Sequence, residues 1–447
     1  MGEMEQALAR IARGPAARAL ATLVQRCAGQ TPMACPVCKT PLRMLDRQRG
    51  RGVASIHGDI RFVRAYGRCP QCGQACAPAD RALGLGESGT ASPRVQEICA
   101  ATVLLAPAGR GEEHVRRTSG VEISASTLHR EARRQGERAL ALRDADEEKT
   151  KTPEGIAQLA KSAEVPPRPF TLVLEIDAWN IRERDDWGKT EDLRAQGGEA
   201  KRWHWVYTGT IFRLDQRART ESGRALISSR GYVATRRGLE SFTRQLYAEA
   251  LRQGLAQAEH VLVVADGAVW IWNLVADRFP QARQRLDLYH ARAHLWALAG
   301  ELHGKGTPAA ADWVRPYLEA LETRADGAVE VIQGLREMEE KLAALTAEQR
   351  EALRKELEYV KNNQERMDYL LGRELGQPVG SGAIESTCSQ YQRRFKLTGQ
   401  YWSLEGDEEL LALATLEKNH RWADLFPHDE PKPSGKKNAA QGKSLQS

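Results

Sequence analysis

An α/β fold built on a mixed sheet is predicted for residues 170–290, and three observations predict it. Candidate strands at 171–176, 203–212, 225–234, 260–265 and 284–288 are short, apolar and bounded by turn residues. Helical periodicity separates the last three of them, at 239–253 and at 272–277. Three strands, a helix, a strand, a helix and a strand form an alternation that a sheet of mixed direction accommodates. Two of the runs, 172–176 and 261–265, each end in an aspartate.

The chain has 447 residues, enough for two or three domains. Hydrophobic residues make up 41% and charged residues 28%, which excludes fibrous and wholly disordered classes. No apolar run reaches the roughly 18 residues of a membrane span, and Met1-Gly2-Glu3-Met4-Glu5 opens no signal peptide. The expected setting is cytoplasmic and nucleoid-associated, with no membrane partner. The net charge of +6, from 65 Lys and Arg against 59 Asp and Glu, permits a polyanionic partner. Basic residues gather at Arg43, Arg47, Arg49, Arg51, Arg61 and Arg64, against only Asp46 and Asp59. A nucleic-acid contact is therefore expected in the N-terminal third.

Residues 1–30 read as a helical arm: Met4, Leu8, Ile11, Ala17, Leu20 and Leu23 recur at helical spacing, with a break expected at Gly14-Pro15. Residues 31–85 read as a zinc ribbon. Cys35-Pro-Val-Cys38 and Cys69-Pro-Gln-Cys72 let four thiolates meet at one tetrahedral Zn²⁺, a structural site because no coordination position stays open. Cys76 could replace one ligand; Cys27, Cys99 and Cys388 read as ordinary buried small residues. Strands at 53–56 and 60–66 flank His57-Gly58-Asp59 as a hairpin turn.

Residues 86–150 read as three or four helices that include a helix-turn-helix DNA-binding region. Helix 112–119, the turn Gly120-Val121-Glu122-Ile123 and helix 124–134 follow one another, with Ser124 as N-cap. The second helix would present Ser126, Thr127, Arg130, Arg133 and Arg134, residue types that reach base edges and phosphates. A helical hairpin with a solvated basic face fits the same pattern. Pro153, Pro166, Pro167 and Pro169 suggest a linker over 151–169. Residues 291–376 read as an all-helical insertion, with Thr307-Pro308 starting one helix and Thr346 with Gln349 boxing another. Its stripe Ile332, Leu335, Met338, Leu342 and Leu345 reads as core. Residues 377–425 return to the α/β domain, and 426–447 read as a disordered basic tail.

Asp177 and Asp266, at the ends of two strands, could share divalent cations in the arrangement that serves in-line displacement at phosphorus. A third carboxylate must close such a site. Glu385 is the candidate, because Gly380-Ser381-Gly382 turns into a helix that also carries Arg393, Arg394 and Lys396 as phosphate contacts. Arg393 lies about two turns from Glu385 on roughly the same face. Each aspartate alone reads equally well as a strand-end turn residue.

The ordered blocks Val173-Leu174-Glu175-Ile176-Asp177-Ala178-Trp179, Asp266-Gly267-Ala268-Val269-Trp270, Asp287-Leu288-Tyr289-His290 and Gly380-Ser381-Gly382-Ala383-Ile384-Glu385-Ser386 resemble the DDE transposases of ISKra-type bacterial insertion sequences. The resemblance covers most of residues 35–402, from the second cysteine turn and Pro78-Ala79-Asp80 to Lys396-Leu397-Thr398-Gly399, and departs at Gln400-Tyr401. It implies an RNase H-like catalytic core, 170–290 and 377–425, interrupted by the helical insertion and preceded by the zinc ribbon and helix-turn-helix. It also implies that Asp177, Asp266 and Glu385 are catalytic and hold Mg²⁺ or Mn²⁺, with cleavage of transposon ends and transfer of their 3′-hydroxyls to target DNA. Asp287, His290 and Trp402 would position DNA; Trp179, Trp270 and Trp402 could stack on bases or pack in the core. Double-stranded DNA is then the partner, held by a homodimer or higher oligomer that pairs two ends. Two other readings remain: a catalytically silent DNA-binding scaffold derived from a transposase, and an RNase H-like nuclease.

Overall fold

The computed structural model describes residues 1–86, 89–184, 189–197, 202–221, 225–340 and 345–427, so the expected tail lies outside them from residue 428 on. Helix α1 (Gly2–Gln30) is continuous through Gly14-Pro15, where a break was expected. A proline removes only one backbone bond from a helix. What holds the second half is packing: Ala17, Leu20, Ala21 and Val24 lie against Val53, Ile60 and Phe62, and the Gln25 amide pairs with both backbone groups of Val63.

Strands β1 (Arg43–Ser55) and β2 (Gly58–Arg68) form a hairpin longer than predicted, and β3 (Ala75–Cys76) completes a three-stranded ribbon. Exposed arginines along β1 hid its register, which two irregularities between Met44 and Arg49 interrupt. The short helix α2 (Pro78–Ala82) brings Asp80 against this ribbon, where it pairs with Arg64 at 2.9 Å and with Arg51. Two of the arginines that made the ribbon basic are therefore internal.

Helices α3 (Pro93–Leu105), α4 (Ala108–Ser119) and α5 (Ala125–Lys149) follow, each of α3 and α5 capped by a serine, Ser92 and Ser124. Gly120, with φ 65°, ends α4 in the left-handed conformation a glycine adopts without strain. The segment expected as a linker holds α6 (Pro153–Lys161), because Thr152 caps it, Pro153 opens it and Leu159 is buried.

The central sheet contains β4 (Thr171–Arg182), β5 (Trp203–Arg213), β8 (Gly231–Thr235), β9 (His260–Ala265) and β10 (Arg283–Leu286), in the order β10-β9-β4-β5-β8. Helix α7 (Thr190–Ala195) and the small ribbon β6 (Arg217–Arg219) with β7 (Ala225–Ile227) lie in its connections. The strand predicted at 225–234 is thus two strands, of which only β8 joins the main sheet. β4 runs parallel to β9 and antiparallel to β5; β9 and β10 are parallel and β5 and β8 antiparallel. β4 continues to Arg182 because β5 pairs with it throughout, so Asp177 lies inside the strand and not at its end.

Helices α8 (Leu239–Arg252) and α9 (Val269–Arg278) cover one face of the sheet. Beside them stand α10 (Leu288–His303), α11 (Pro308–Thr323), α12 (Gly327–Glu340), α13 (Ala347–Asn363) and α14 (Tyr369–Glu374), the helical segment predicted at 291–376. Thr346 and Gln349 form the expected capping box, and Ile332 and Leu335 are buried, with Met338 and Leu345 packed against them. Leu342 lies outside the described residues. The opposite face is covered by α15 (Gly382–Phe395) and α16 (Leu404–Lys418), with α17 (Trp422–Leu425) beyond. Val95, Val115, Val121 and Leu128 share one core with Trp179, Val206, Tyr391 and Leu411. The helix-turn-helix region is therefore fused to the sheet domain through α5 and α16, without a break at residue 150.

Candidate functional site

Two places in the molecule gather chemistry-bearing side chains. At the first, the Cys35 sulfur lies 3.7 Å from those of Cys38 and Cys72, and the Cys38 and Cys69 sulfurs are 3.8 Å apart. Disulfide sulfurs would be about 2.05 Å apart. A tetrahedral zinc with bonds of about 2.3 Å sets its sulfurs about 3.8 Å apart, so this cage could hold a zinc ion. The two turns are built alike. Cys35 and Cys69 each donate their N–H to a carbonyl five residues on, at 2.8 Å, and each accepts from the residue four on, at 3.0 Å. The donors of those second bonds, Lys39 and Gly73, have φ of 63° and 74°. The Cys38 backbone N–H lowers the Cys35 thiol to about 6, which favours the thiolate that metals require. Cys76 is buried beside the cage but outside the set of four. Cys27, expected to be buried, is exposed.

The second place is the face of the sheet under α15. Residues 173, 175 and 177 of β4 alternate away from Leu172, Leu174 and Ile176, and the β4–β9 register pairs Ile176 with Ala265. One step further, Asp177 and Asp266 stand side by side at the point where β9 ends. Burial raises the Asp177 carboxyl, and the negative charge of Asp266 adds to the rise. Among the described residues no Lys or Arg ion pair joins either aspartate. Oxygen ligands held together without a counter-charge suit a hard divalent cation. Asp177 also accepts from the Cys388 thiol at 3.7 Å, and Asp266 accepts from the Ala268 N–H at 3.0 Å across a turn at Gly267.

Glu385 sits in the first turn of α15, one turn before Cys388, and its side chain is exposed. Among the described residues only the four cysteines form a group of three or more ligand residues with all ligand atoms within 4.8 Å of one another, so Asp177, Asp266 and Glu385 do not converge on one point.

Asp287 is fully buried and ties two helices together. One oxygen caps α10 through the Tyr289 and His290 N–H groups, at 2.5 and 3.0 Å; the other accepts from the Ser381 N–H at 2.5 Å and from its hydroxyl. Expected to face DNA, it faces the protein. Burial pushes its carboxyl up, but the bonds from His290 and Ser381 outweigh burial and hold it at about 2. His290 is half-exposed beside it, with Nδ1 3.6 Å from the carboxylate. Asp287 raises the His290 pKa against burial, helped by the charges of Asp266 and Asp177. A folded pKa of about 2 against an ordinary 3.8 means that Asp287 stabilises the fold fully above pH 4 and loses that contribution as pH falls toward 2. Asp287→Asn is expected to cost about 2 kcal/mol at pH 7 and almost nothing near pH 2. Urea unfolding at the two pH values checks this.

The predicted DNA contacts divide. Ser126 and Arg130 are exposed near the start of α5, and Thr127 is partly buried, with its N–H bound to the Ser124 cap at 3.3 Å. Arg133 is exposed and makes two 2.9 Å bonds to Glu409 on α16, and Arg134, partly buried, pairs with Glu131 at 2.9 Å along its own helix. Arg394 donates to the Val103 carbonyl at 2.6 Å, and burial lowers it to about 10. Lys396 is exposed and lies 5.5 Å from the Trp179 ring, and Arg393 is exposed in the last turn of α15. Trp179 is buried and donates to the Thr208 hydroxyl at 3.0 Å, Trp270 packs on Tyr207, and Trp402 donates to the Phe395 carbonyl at 3.0 Å. Trp179 is buried in the core, whereas Trp270 and Trp402 are partly exposed. If Arg130 contacts phosphate, Arg130→Ala is expected to weaken duplex binding and lower its salt slope by about 1, whereas Arg133→Ala lowers thermal stability and leaves the slope unchanged. Fluorescence anisotropy across a salt series separates them.

Glu175, Ser381 and Cys388 were missed from the sequence. Glu175 alone carried a signal, as an acidic residue inside a fully apolar strand two positions before Asp177. Compared with known proteins, the chain matches no family model and no curated relative.

Proposed function

We propose that the chain is a DNA transposase that uses Asp177, Asp266 and Glu385 for metal-dependent phosphoryl transfer at transposon ends. The observation that carries the reading is the pair Asp177 and Asp266, joined by no Lys or Arg ion pair among the described residues, beneath a helix whose first turn bears Glu385. The strand order β10-β9-β4-β5-β8, with only β5 antiparallel to its neighbours on both sides, is consistent with the RNase H-like core that the sequence resemblance implies. A divalent cation such as Mg²⁺ or Mn²⁺, when bound, supplies Lewis-acid stabilisation and an activated oxygen nucleophile.

The chain's own groups do the rest. Asp177 and Asp266 offer the first oxygen ligands, and Glu385 completes the set by turning inward. His290, whose pKa is raised by three carboxylates, brings positive charge to the same edge. Arg393 and the start of α5 supply phosphate and base contacts, and the cysteine cage stiffens the arginine-bearing ribbon. Pairing two DNA ends calls for a homodimer or a higher oligomer. Incubating the full chain with labelled duplex ends in Mg²⁺, in Mn²⁺ and in EDTA tests the reading. Metal-dependent 3′-end nicking supports it. Binding without cleavage in any metal favours a catalytically silent DNA-binding scaffold, the alternative that the exposed, unconverged Glu385 keeps in play.

A further inference from the structure

We propose that Glu175 is a positioning residue that anchors the first turn of α15, so that Glu385 is presented to Asp177; this rests on the catalytic reading above. Glu175 is 1% exposed, in a strand whose other buried positions are apolar. Its carboxylate accepts from the Ile384 N–H at 2.8 Å, the residue immediately before Glu385. The first N–H groups of a helix have no partner within the helix, and an acceptor oxygen at that end satisfies them.

The anchor is one of three on the same turn. Asp287 holds Ser381 from the α10 side, and the Arg230 guanidinium reaches the Ala383 carbonyl at 3.5 Å. The first turn of α15 is thus fixed at Ser381 and Ile384 by two carboxylates from different parts of the sheet domain. Because side chains on β4 alternate, the residue that grips Ile384 and the residue that Cys388 touches, Glu175 and Asp177, are on the same face two positions apart. A shift of β4 therefore carries α15 with it, and the spacing between Asp177 and the Glu385 backbone is set by a single short strand segment. Groups behind metal ligands commonly change metal affinity 10- to 100-fold when removed.

Two measurements on the full chain test the proposal, using Glu175→Ala and Glu175→Gln. Hydrogen exchange at 383–388 is expected to quicken about tenfold in the alanine variant, with the rest of the sheet domain unchanged. The Mg²⁺ concentration for half-maximal end cleavage is expected to rise about tenfold, with duplex binding unaltered. The glutamine variant should recover most of both, because its amide oxygen still accepts from Ile384. A purely structural role would lower thermal stability without moving the metal midpoint. Unchanged exchange and an unchanged midpoint in Glu175→Ala overturn the proposal, as does a glutamine variant as impaired as alanine. If the wild type cleaves nothing in any metal, the catalytic reading fails, and the role of Glu175 in presenting Glu385 for catalysis fails with it; the exchange data still report whether the anchor exists.

Discussion

Asp177→Asn is expected to reduce end cleavage about 10³-fold, equivalent to about 4 kcal/mol of transition-state stabilisation, and to leave the protein at least as stable as the wild type. On the proposed reading, the loss follows from removing an oxygen ligand where β4 and β9 bring Asp177 and Asp266 together. The gain in stability follows from the electrostatics: burial and Asp266 raise the Asp177 carboxyl, so the folded protein disfavours its charge at neutral pH. A carboxyl raised on folding destabilises the native state at pH above its ordinary value, and the neutral asparagine relieves that cost. Asp266→Asn and Glu385→Gln should lose activity to a similar degree. Duplex binding should survive in all three, since the arginines of α5 lie elsewhere. Activity and thermal melting measured on the same preparations decide the matter: a residue present for folding would lower both, and a residue present for metal-dependent chemistry lowers the first alone.

Loss of zinc should produce the largest structural effect. Apparent binding energies of structural zinc sites reach about 10 to 16 kcal/mol, and in small modules that energy is folding energy. The knuckle half of the ribbon has little else to hold it, because its buried cluster consists of Cys35, Cys69, Cys76 and Leu42. The other half packs Val53, Ile60 and Phe62 on α1 and α2. Cys35→Ser with Cys69→Ser is therefore expected to abolish metal content, one zinc per chain by elemental analysis, and to remove exchange protection from 31–44 and 67–76 while 53–62 keep theirs. The sheet domain, whose core is separate, should keep its protection. Retained protection over 31–44 and 67–76 in a zinc-free chain would show that packing alone suffices.

The sequence made local features legible and left distant partners obscure. Two Cys-x-x-Cys turns announce a metal cage because each turn is complete within a few residues, and the caps at Ser124, Thr307 and Thr346 are legible for the same reason. The strands β4 and β9 stood out because they are buried on both faces and nearly wholly apolar. Arg133 looked like a DNA contact because its partner, Glu409, lies 276 residues away. Asp287 looked like a DNA-facing residue because Ser381, which fixes it, follows an intervening helical segment of about 90 residues. The fusion of α3–α5 with the sheet domain was hidden likewise: Leu410, Leu411 and Leu413 of α16 share one buried core with Val95, Leu128 and Trp179, which lie far from them in sequence. Pro15 misled in the opposite direction, since a helix tolerates one missing bond when a neighbouring surface holds it in place.

The most direct test of the central claim is whether the full chain, with Mg²⁺ and duplex DNA carrying the element's own ends, joins those 3′-hydroxyls to a supercoiled target, read by sequencing the junctions. The account predicts joined products from the wild type and none from Asp177→Asn, Asp266→Asn or Glu385→Gln. Hydrolysed ends without any junction would contradict transfer and leave a nuclease; junctions formed equally well by the three variants would contradict the site itself.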